Sequence, residues 1–406
     1  MSALAVERLG PSLAELLARA PALSETIAEG AAQRDLDRAL PFEAFRLFRE
    51  SGLGTLRIPV ELGGPGASIA DYIEVIATIG AGDSNVAHAL RSHFNFTETL
   101  ALDPSAPGAR AAIANVLAGK LYAGAHTEQG TKRPGEVTTT LIREGNHWRL
   151  NGRKWYATGT AFADFASFTA RADDGRFVSV LLPVDRAGIS ILDDWDGMGQ
   201  KLTASGGVLL DNVEVFDNEI STHSLDSRIG RHTSATRQLH LAASAAGAVR
   251  AALHEGIAYV RNQARSAAHS PAETAREDLF VQKVVGEIAA RSFAIDAVVH
   301  AAALKLDETT AAFRTGKDAA IEEALVAGAL AVAEAQLTIA DLGLKAAEQI
   351  FELGGGSATS RKYNFDRHWR NIRTILNHNP LLHKARVVGD YLLNATTTHL
   401  EEGKVF

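Results

Sequence analysis

Trp148-Arg149-Leu150-Asn151-Gly152-Arg153-Lys154-Trp155 decides how this chain divides. Polar and apolar residues alternate along it, the period of a strand rather than a helix. Its Asn-Gly pair can take positive φ at both positions, so the spacing predicts a hairpin turning at Asn151-Gly152. The strand texture extends outward over about 119–220. Phe177 to Leu182 and Gly207 to Phe216 are rich in Val and Leu and read as further strands. Asp211-Asn212 interrupts the second as a turn or a bulge.

On the N-terminal side the period is helical. Leu13, Leu16 and Leu17, then Phe42, Phe45, Leu47 and Phe48, recur at helical spacing, and Pro41 suits a first helical turn. Residues 57–66, with Pro59, Gly63, Gly64, Pro65 and Gly66, form a breaker-rich loop. Helical texture resumes from Ile69 through Leu100. On the C-terminal side it returns near 235. Leu239 to Ala264, Glu277 to Phe313 and Ala319 to Leu353 are long enough for a bundle, and Gly354-Gly355-Gly356 ends the third. A last helix is expected over Pro380 to Leu393, with Asn379 as its N-cap. The Ala- and Gly-rich run Ala242 to Ala252 suits a close helix crossing, within one subunit or between two. The expected fold is α+β and mainly α. It comprises an N-terminal helical domain (1–118), a middle β domain (119–225) and a C-terminal four-helix bundle (226–406).

Composition narrows the function. The 406 residues are 46% hydrophobic and 22% charged, which excludes disorder and fibrous classes. The 41 Lys+Arg against 48 Asp+Glu give a net charge of -7, with no basic stripe for nucleic acid. No cysteine is present, so disulfides, thiolate metal sites and a Cys nucleophile are excluded. No run of about 18 residues lacks charge, so no membrane span is expected. Glu7, Arg8, Glu15 and Arg19 break up the leucines of the first segment, unlike a secretory signal. A cytoplasmic protein is expected. His88 and His93 lack the i, i+4 spacing of a helical metal pair, and no metal is expected.

The order of zones, and three local motifs, resemble the acyl-CoA dehydrogenase fold. Tyr122-Ala123-Gly124-Ala125-His126-Thr127-Glu128-Gln129-Gly130 looks like its first flavin-contacting strand. Trp155-Tyr156-Ala157-Thr158-Gly159 looks like its second, and Gly197 to Gly206 like the loop before the last strand pair. The dehydrogenases' catalytic Glu is missing: the corresponding stretch is Ile375-Leu376-Asn377-His378-Asn379-Pro380, and the alternative position falls near Ala264-Arg265. Together with Asp366 to Thr374 and Gly82 to Phe94, that stretch resembles the flavin-dependent monooxygenases of this fold, the dibenzothiophene and small-organosulfur enzymes.

This resemblance implies a two-component monooxygenase. It would use O2 and reduced FMN from a separate NAD(P)H-dependent flavin reductase, acting through a C4a-hydroperoxide. Arg265 to Pro271 departs from the FAD pyrophosphate motif, which favours FMN over FAD. The implied catalytic residues are His378, Thr158 and His93. The implied flavin contacts are His126, Thr127, Tyr156, Thr158, Ser205 and Gly206, with Lys283 and Arg370 for the phosphate. Arg91, His93 and Phe94 are the implied substrate contacts, Arg91 suiting an anion such as a sulfinate. Phe94, Phe96 and Phe162 would line an apolar pocket. His378 would use a near-neutral pKa to protonate a peroxide. A homotetramer is expected. The first-choice substrate is an organosulfur compound, followed by an amine to be N-hydroxylated and an aromatic to be hydroxylated at carbon. Rival readings are an acyl-CoA dehydrogenase with an atypical base and a binding protein that has lost flavin.

Overall fold

A computed structural model describes residues 11–133, 135–222 and 226–400. Glu7 and Arg8, used above against a signal segment, lie outside them. The chain begins with helices α1 (Leu13–Ala28), α2 (Ala31–Asp37), α3 (Phe42–Ser51), α4 (Ile69–Gly82), α5 (Ser84–Ala89), α6 (Arg91–Leu102) and α7 (Ala109–Leu117). Strands follow: β1 (Tyr122–Ala125), β2 (Thr140–Glu144), β3 (His147–Lys154), β4 (Phe165–Ala172), β5 (Phe177–Pro183), β6 (Ile189–Ile191), β7 (Val208–Val215) and β8 (Ile220–Ser221). The rest is helical: α8 (Arg228–Asn262), α9 (Leu279–Thr315), α10 (Asp318–Gln349), α11 (Asp366–Leu376) and α12 (Leu381–Asn394).

Side-chain caps start these helices where the sequence supplies them. Ser68 and Asp71 form a capping box on α4, and Asp278 accepts from the amides of Phe280 and Val281 at the start of α9. The first amides of α4, Ile69 and Ala70, donate to Asp307 of α9 at 2.6 and 3.1 Å. One carboxylate thus caps a helix distant in sequence and joins the two helical regions.

The sheet runs in the order β6-β7-β3-β2-β4-β5-β8. β1 and β2 both lie parallel to β4, at successive stretches of it, and the other pairs are antiparallel. The expected turn at Asn151-Gly152 is not there. Both residues lie inside β3, and the chain reverses at Gly145-Asn146 instead. The register shifts between Leu150 and Gly152 opposite β7, where Asn212 takes φ 52 and donates its amide to the Asn151 side chain. The pair therefore forms one side of a β-bulge, in which two residues of β7 face Asn151 and the positive φ falls on Asn212. Asp211-Asn212 is the other half of it. A Cβ at Gly152 would strike Thr139, so only glycine lets the bulge pack.

In the bundle, α8 starts earlier than its apolar pattern, at Arg228 behind the cap Ser227. The run Ala242 to Ala252 is buried within the one chain, where Gly247 crosses Gly80 of α4. A Cβ at Gly80 would lie 3.2 Å from the Gly247 Cα, which is why small residues are needed on both helices. By length and composition alone α10 is apolar enough to cross a membrane, with mean hydropathy 1.5 in its best window, although Glu334 and Asp341 interrupt its apolar run. Its neighbours α8, α9, α11 and α12 account for that texture, since Ile321, Val332, Ala333, Ile339 and Ala347 are core residues. α12 is capped by Pro380 rather than Asn379, whose side chain is turned to His378.

Candidate active site

The end of β3 is anchored by an ion pair. Lys154 is fully buried, and its Nζ lies 2.6 Å from Glu128 Oε1 and 3.1 Å from the Thr169 hydroxyl. Glu128 also accepts the amides and hydroxyls of Thr138 and Thr139. Burial raises the Glu128 pKa, but Lys154 and these donors outweigh it and bring it down to about 2. The next amide, Trp155, donates to Thr127 O at 2.8 Å. This sets His126-Thr127 alongside Trp155-Tyr156, all exposed or half-buried.

Tyr156 takes φ 56 and is 54% exposed, edge-on to Trp155 and Trp195. Gln200 and Ala204 in the adjoining loop also take positive φ, 51 and 49. Three non-glycine residues in the left-handed region at one place mark backbone held there by its surroundings. The loop is tied down by Ala157 N–H to Gly206 O and by Gly159 N–H to Thr203 O. A Cβ on Gly159 would strike Ala89 O, so β3 ends against α5.

These ties orient a chain of hydroxyls. Thr203 Oγ1 donates to Gln200 O at 2.9 Å, so at 2.6 Å it can only accept from Ser205. Ser205, its proton used, accepts from Thr158 at 2.6 Å. Thr158 Oγ1 is left as an acceptor.

His88 stands across the loop. Its Nδ1 lies 3.1 Å from Gln200 Oε1, while Gln200 donates Nε2 to Ser84 and its backbone amide to Asn371. Because Oε1 accepts, the His88 Nδ1 carries the proton. Nε2 is then a bare lone pair, enclosed and without a partner. Burial, then Arg91, lowers its pKa to about 3, so the ring is neutral. His240 of α8 bonds Ala87 O and Tyr72 at 2.7 and 3.0 Å.

His378 follows α11. Its Nδ1 meets Asn379 Oδ1 at 2.8 Å, and its ring, crowded by protein yet open on one side, feels Arg91, His88 and Arg237. Crowding first, then those charges, pushes its pKa well below the imidazole range. The expected near-neutral acid is thus a neutral ring whose Nε2 accepts. Arg91 opens α6 with its Nε enclosed and unpartnered, and Arg237 lies on α8.

Other expected site residues are placed differently. His93 donates from Nε2 to Gly54 O at 2.8 Å and accepts at Nδ1 from the Tyr122 amide at 3.3 Å, so its ring is spent on backbone in the core. Phe94 is fully buried, stacked on Tyr72 with centroids 4.6 Å apart. Phe162 stacks on Phe45, and Phe96 on Tyr122. These aromatics fill the N-terminal core instead of facing an open pocket. Lys283 pairs with Glu287. Arg370 pairs with Asp35 at 2.8 Å and Asp366 at 2.7 Å, and also holds Met198 O. Both cations expected at a phosphate are therefore occupied by carboxylates of the chain, and Arg370 is a brace between α2, α11 and the loop. Among the described residues, no three His, Asp or Glu side chains converge on a metal position.

Gln200, His88 and Arg237 went unrecognised in the sequence. Arg237 carried a signal, a lone cation just before the buried run Leu239 to Ala252. His88 had only its cap, Asp83, to mark a new short helix.

Comparison with known proteins agrees with this geometry. The acyl-CoA dehydrogenase N-terminal, middle and C-terminal domain models match residues 18–103, 123–213 and 239–381. The chain belongs to that fold family. Within it, the chain is an FMN-dependent monooxygenase, an oxidoreductase that uses reduced FMN. It is 29% identical over 388 residues to a probable FMNH2-dependent monooxygenase, SfnC, of Pseudomonas putida, covering 93% of this chain and 94% of that one. FMN-bound TdsC from Paenibacillus sp. A11-2 superposes with TM-score 0.82 at 28% identity, over 94% of this chain and 98% of TdsC. Methanesulfinate monooxygenase MsuC from Pseudomonas fluorescens gives TM-score 0.83 at 26% identity, over 94% and 97%.

The residues fit the cofactor. Thr158 is left as an acceptor, suited to an N–H such as a reduced flavin presents, and His88 Nε2 lacks a partner.

Proposed function

We propose that this chain is the oxygenase of a two-component system and oxygenates a small organosulfur compound. Reduced FMN, delivered by a separate NAD(P)H-dependent reductase, supplies the electrons that divide O2 between the substrate and water. The oriented run Thr158, Ser205, Thr203, Gln200 carries the reading, because it leaves Thr158 as an acceptor at one end and, through Gln200, leaves His88 with a bare Nε2 at the other. Thr158, Ser205, Tyr156, His126 and Thr127 hold the flavin. His88 and His378, both neutral, would each accept a hydrogen bond from an O–H group at the reacting centre. The absence of a carboxylate at Ile375 to Asn379 speaks against removal of an α-proton from a thioester. MsuC is named for a sulfinate and TdsC for dibenzothiophene, which favours sulfur as the acceptor atom. A cytoplasmic homotetramer with domain boundaries near 118/119 and 225/226 completes the reading.

The test mixes the protein and photoreduced FMN with O2 and a panel of sulfinates, sulfones and thiophenes. Sulfur oxygenation with little H2O2 released supports the reading. Dye reduction by acyl-CoA with bound FAD, and no sulfur product, overturns it.

A further inference from the structure

Among the described residues, the ion-paired arginines whose side chains are less than a fifth exposed are Arg57, Arg231, Arg250, Arg367 and Arg370, the last held by Asp35 and Asp366. Arg57 pairs with Glu98, Arg231 with Glu322, Arg250 with Glu74 and Asp296, and Arg367 with Glu255. Arg91 and Arg237 break this pattern. Both are partly buried, yet neither forms a hydrogen bond or ion pair with any described residue. They come from different helices, α6 and α8, which pack together. After burial, the charge of Arg237 disfavours that of Arg91, and both disfavour a proton on His378.

Such a pair is costly. Withdrawing one unpaired guanidinium from water opposes folding, and a second beside it adds repulsion. Among the described residues, no carboxylate neutralises them. Glu98 has both oxygens taken by Arg57 and His232, at 2.6 and 3.0 Å. Tyr72 is held to His240 and stays protonated, since burial raises its pKa well above the usual phenol value. His88, His240 and His378 are neutral acceptors or occupied donors. Meanwhile both arginines stay charged at neutral pH, burial bringing each down only to about 10.

We propose that Arg91 and Arg237 form a receptor for an organic oxyanion, so that the substrate oxygenated at this site carries a sulfinate, sulfonate or carboxylate group. Two guanidinium forks from two helices can grip one such group through several charge-assisted hydrogen bonds, and the ligand completes the charge balance that the fold lacks. The anion also places the reacting end of the molecule beside His88 and His378. This rests on the oxygenase reading for what happens to the ligand, not for its binding. The same chemistry could instead serve the FMN phosphate, and the experiment separates the two.

The probe is methanesulfonate, an unreactive anion, titrated calorimetrically into protein saturated with oxidised FMN, without O2 or reductant. Neutral dimethyl sulfone is the control. Wild-type protein is expected to bind methanesulfonate, and R91Q and R237Q each to weaken it by about tenfold or more, while dimethyl sulfone binds all three alike. R91K, which keeps the charge without the fork, should recover part of the affinity. Without anion, R91Q and R237Q should melt no lower than wild type, because each removes an unpaired buried charge; methanesulfonate should raise the melting temperature of wild type alone. Equal methanesulfonate binding in all proteins, or none in wild type, overturns the proposal. So does a loss of FMN affinity in the variants with riboflavin affinity unchanged, which would assign the arginines to the cofactor phosphate. Since no turnover is needed, failure of the oxygenase reading leaves this result interpretable by itself.

Discussion

His88 Nδ1 and Gln200 Oε1 are 3.1 Å apart, and this bond decides which nitrogen of the histidine is bare. Gln200 is locked in turn by Ser84, Asn371 and a left-handed backbone. Replacing His88 by Phe keeps the ring volume and removes the acceptor. H88F is expected to oxidise reduced FMN while releasing H2O2, with product formation down roughly 100-fold, the usual scale for a positioned proton acceptor. Product yield and peroxide per O2 consumed give the readout. Unchanged coupling would remove His88 from the chemistry.

Thr158 donates to Ser205 and is left as an acceptor. T158V should cost about 1 kcal/mol of stability for the lost hydrogen bond and should uncouple turnover. T158S should restore most of the coupling. If T158V and T158S behave alike, the orientation of the hydroxyls plays no part.

The Glu128–Lys154 pair lies beneath the two exposed strand ends. K154M leaves a buried carboxylate unpaired, and a loss of about 3–5 kcal/mol in urea unfolding is expected. The double variant E128Q/K154M should recover a large part of it, because both charges go together. A double variant no more stable than K154M would show that packing around Lys154, rather than charge, sets the cost.

Acid should loosen the fold earlier than carboxylates alone would dictate. Burial holds His88 and His240 near about 3 and His93 near about 4, against an ordinary imidazole value of 6.5. A depressed folded pKa means that the unfolded chain takes up protons first. The stability these rings supply is complete above pH 6.5 and is lost as pH falls toward their folded values. Glu98 and Glu128, each lowered to about 2 from 4.5, follow the same sign at lower pH. Each such proton contributes a slope of about 1.4 kcal/mol per pH unit. Urea midpoints measured from pH 7 to 4 should fall already between 6 and 5, and a flat profile there would contradict the neutral rings.

Much of the architecture was legible because period is a local property. The switch from helical to alternating texture near 119, and back near 235, marks out the three zones. The bulge at Gly152 was not, since an Asn-Gly pair permits a turn and a bulge equally. Only Thr139 and Asn212, far along the chain, choose between them. The site divides in the same way. Thr158, Ser205, Tyr156 and His378 stand on motifs readable in the sequence; the structure hydrogen-bonds Thr158 to Ser205, and the His378 ring feels the charge of Arg91. His93 and Arg370 have the right chemistry, but their partners Gly54, Tyr122 and Asp35 are remote in sequence. What a polar side chain does depends on who claims it first, and that is a tertiary fact.

α8 is one uninterrupted rod of 35 residues, about 52 Å long. Arg237 and His240 lie near its start, Gly247 in its middle and Glu255, which clasps Arg367 and His368, toward its end. A single inserted residue anywhere between them would rotate everything downstream by roughly 100° relative to everything upstream. Evolution can therefore exchange side chains along this helix, but it cannot change their count. Length variation beyond the rod can be taken up in the irregular segment after Gln263 without turning one part of α8 against another.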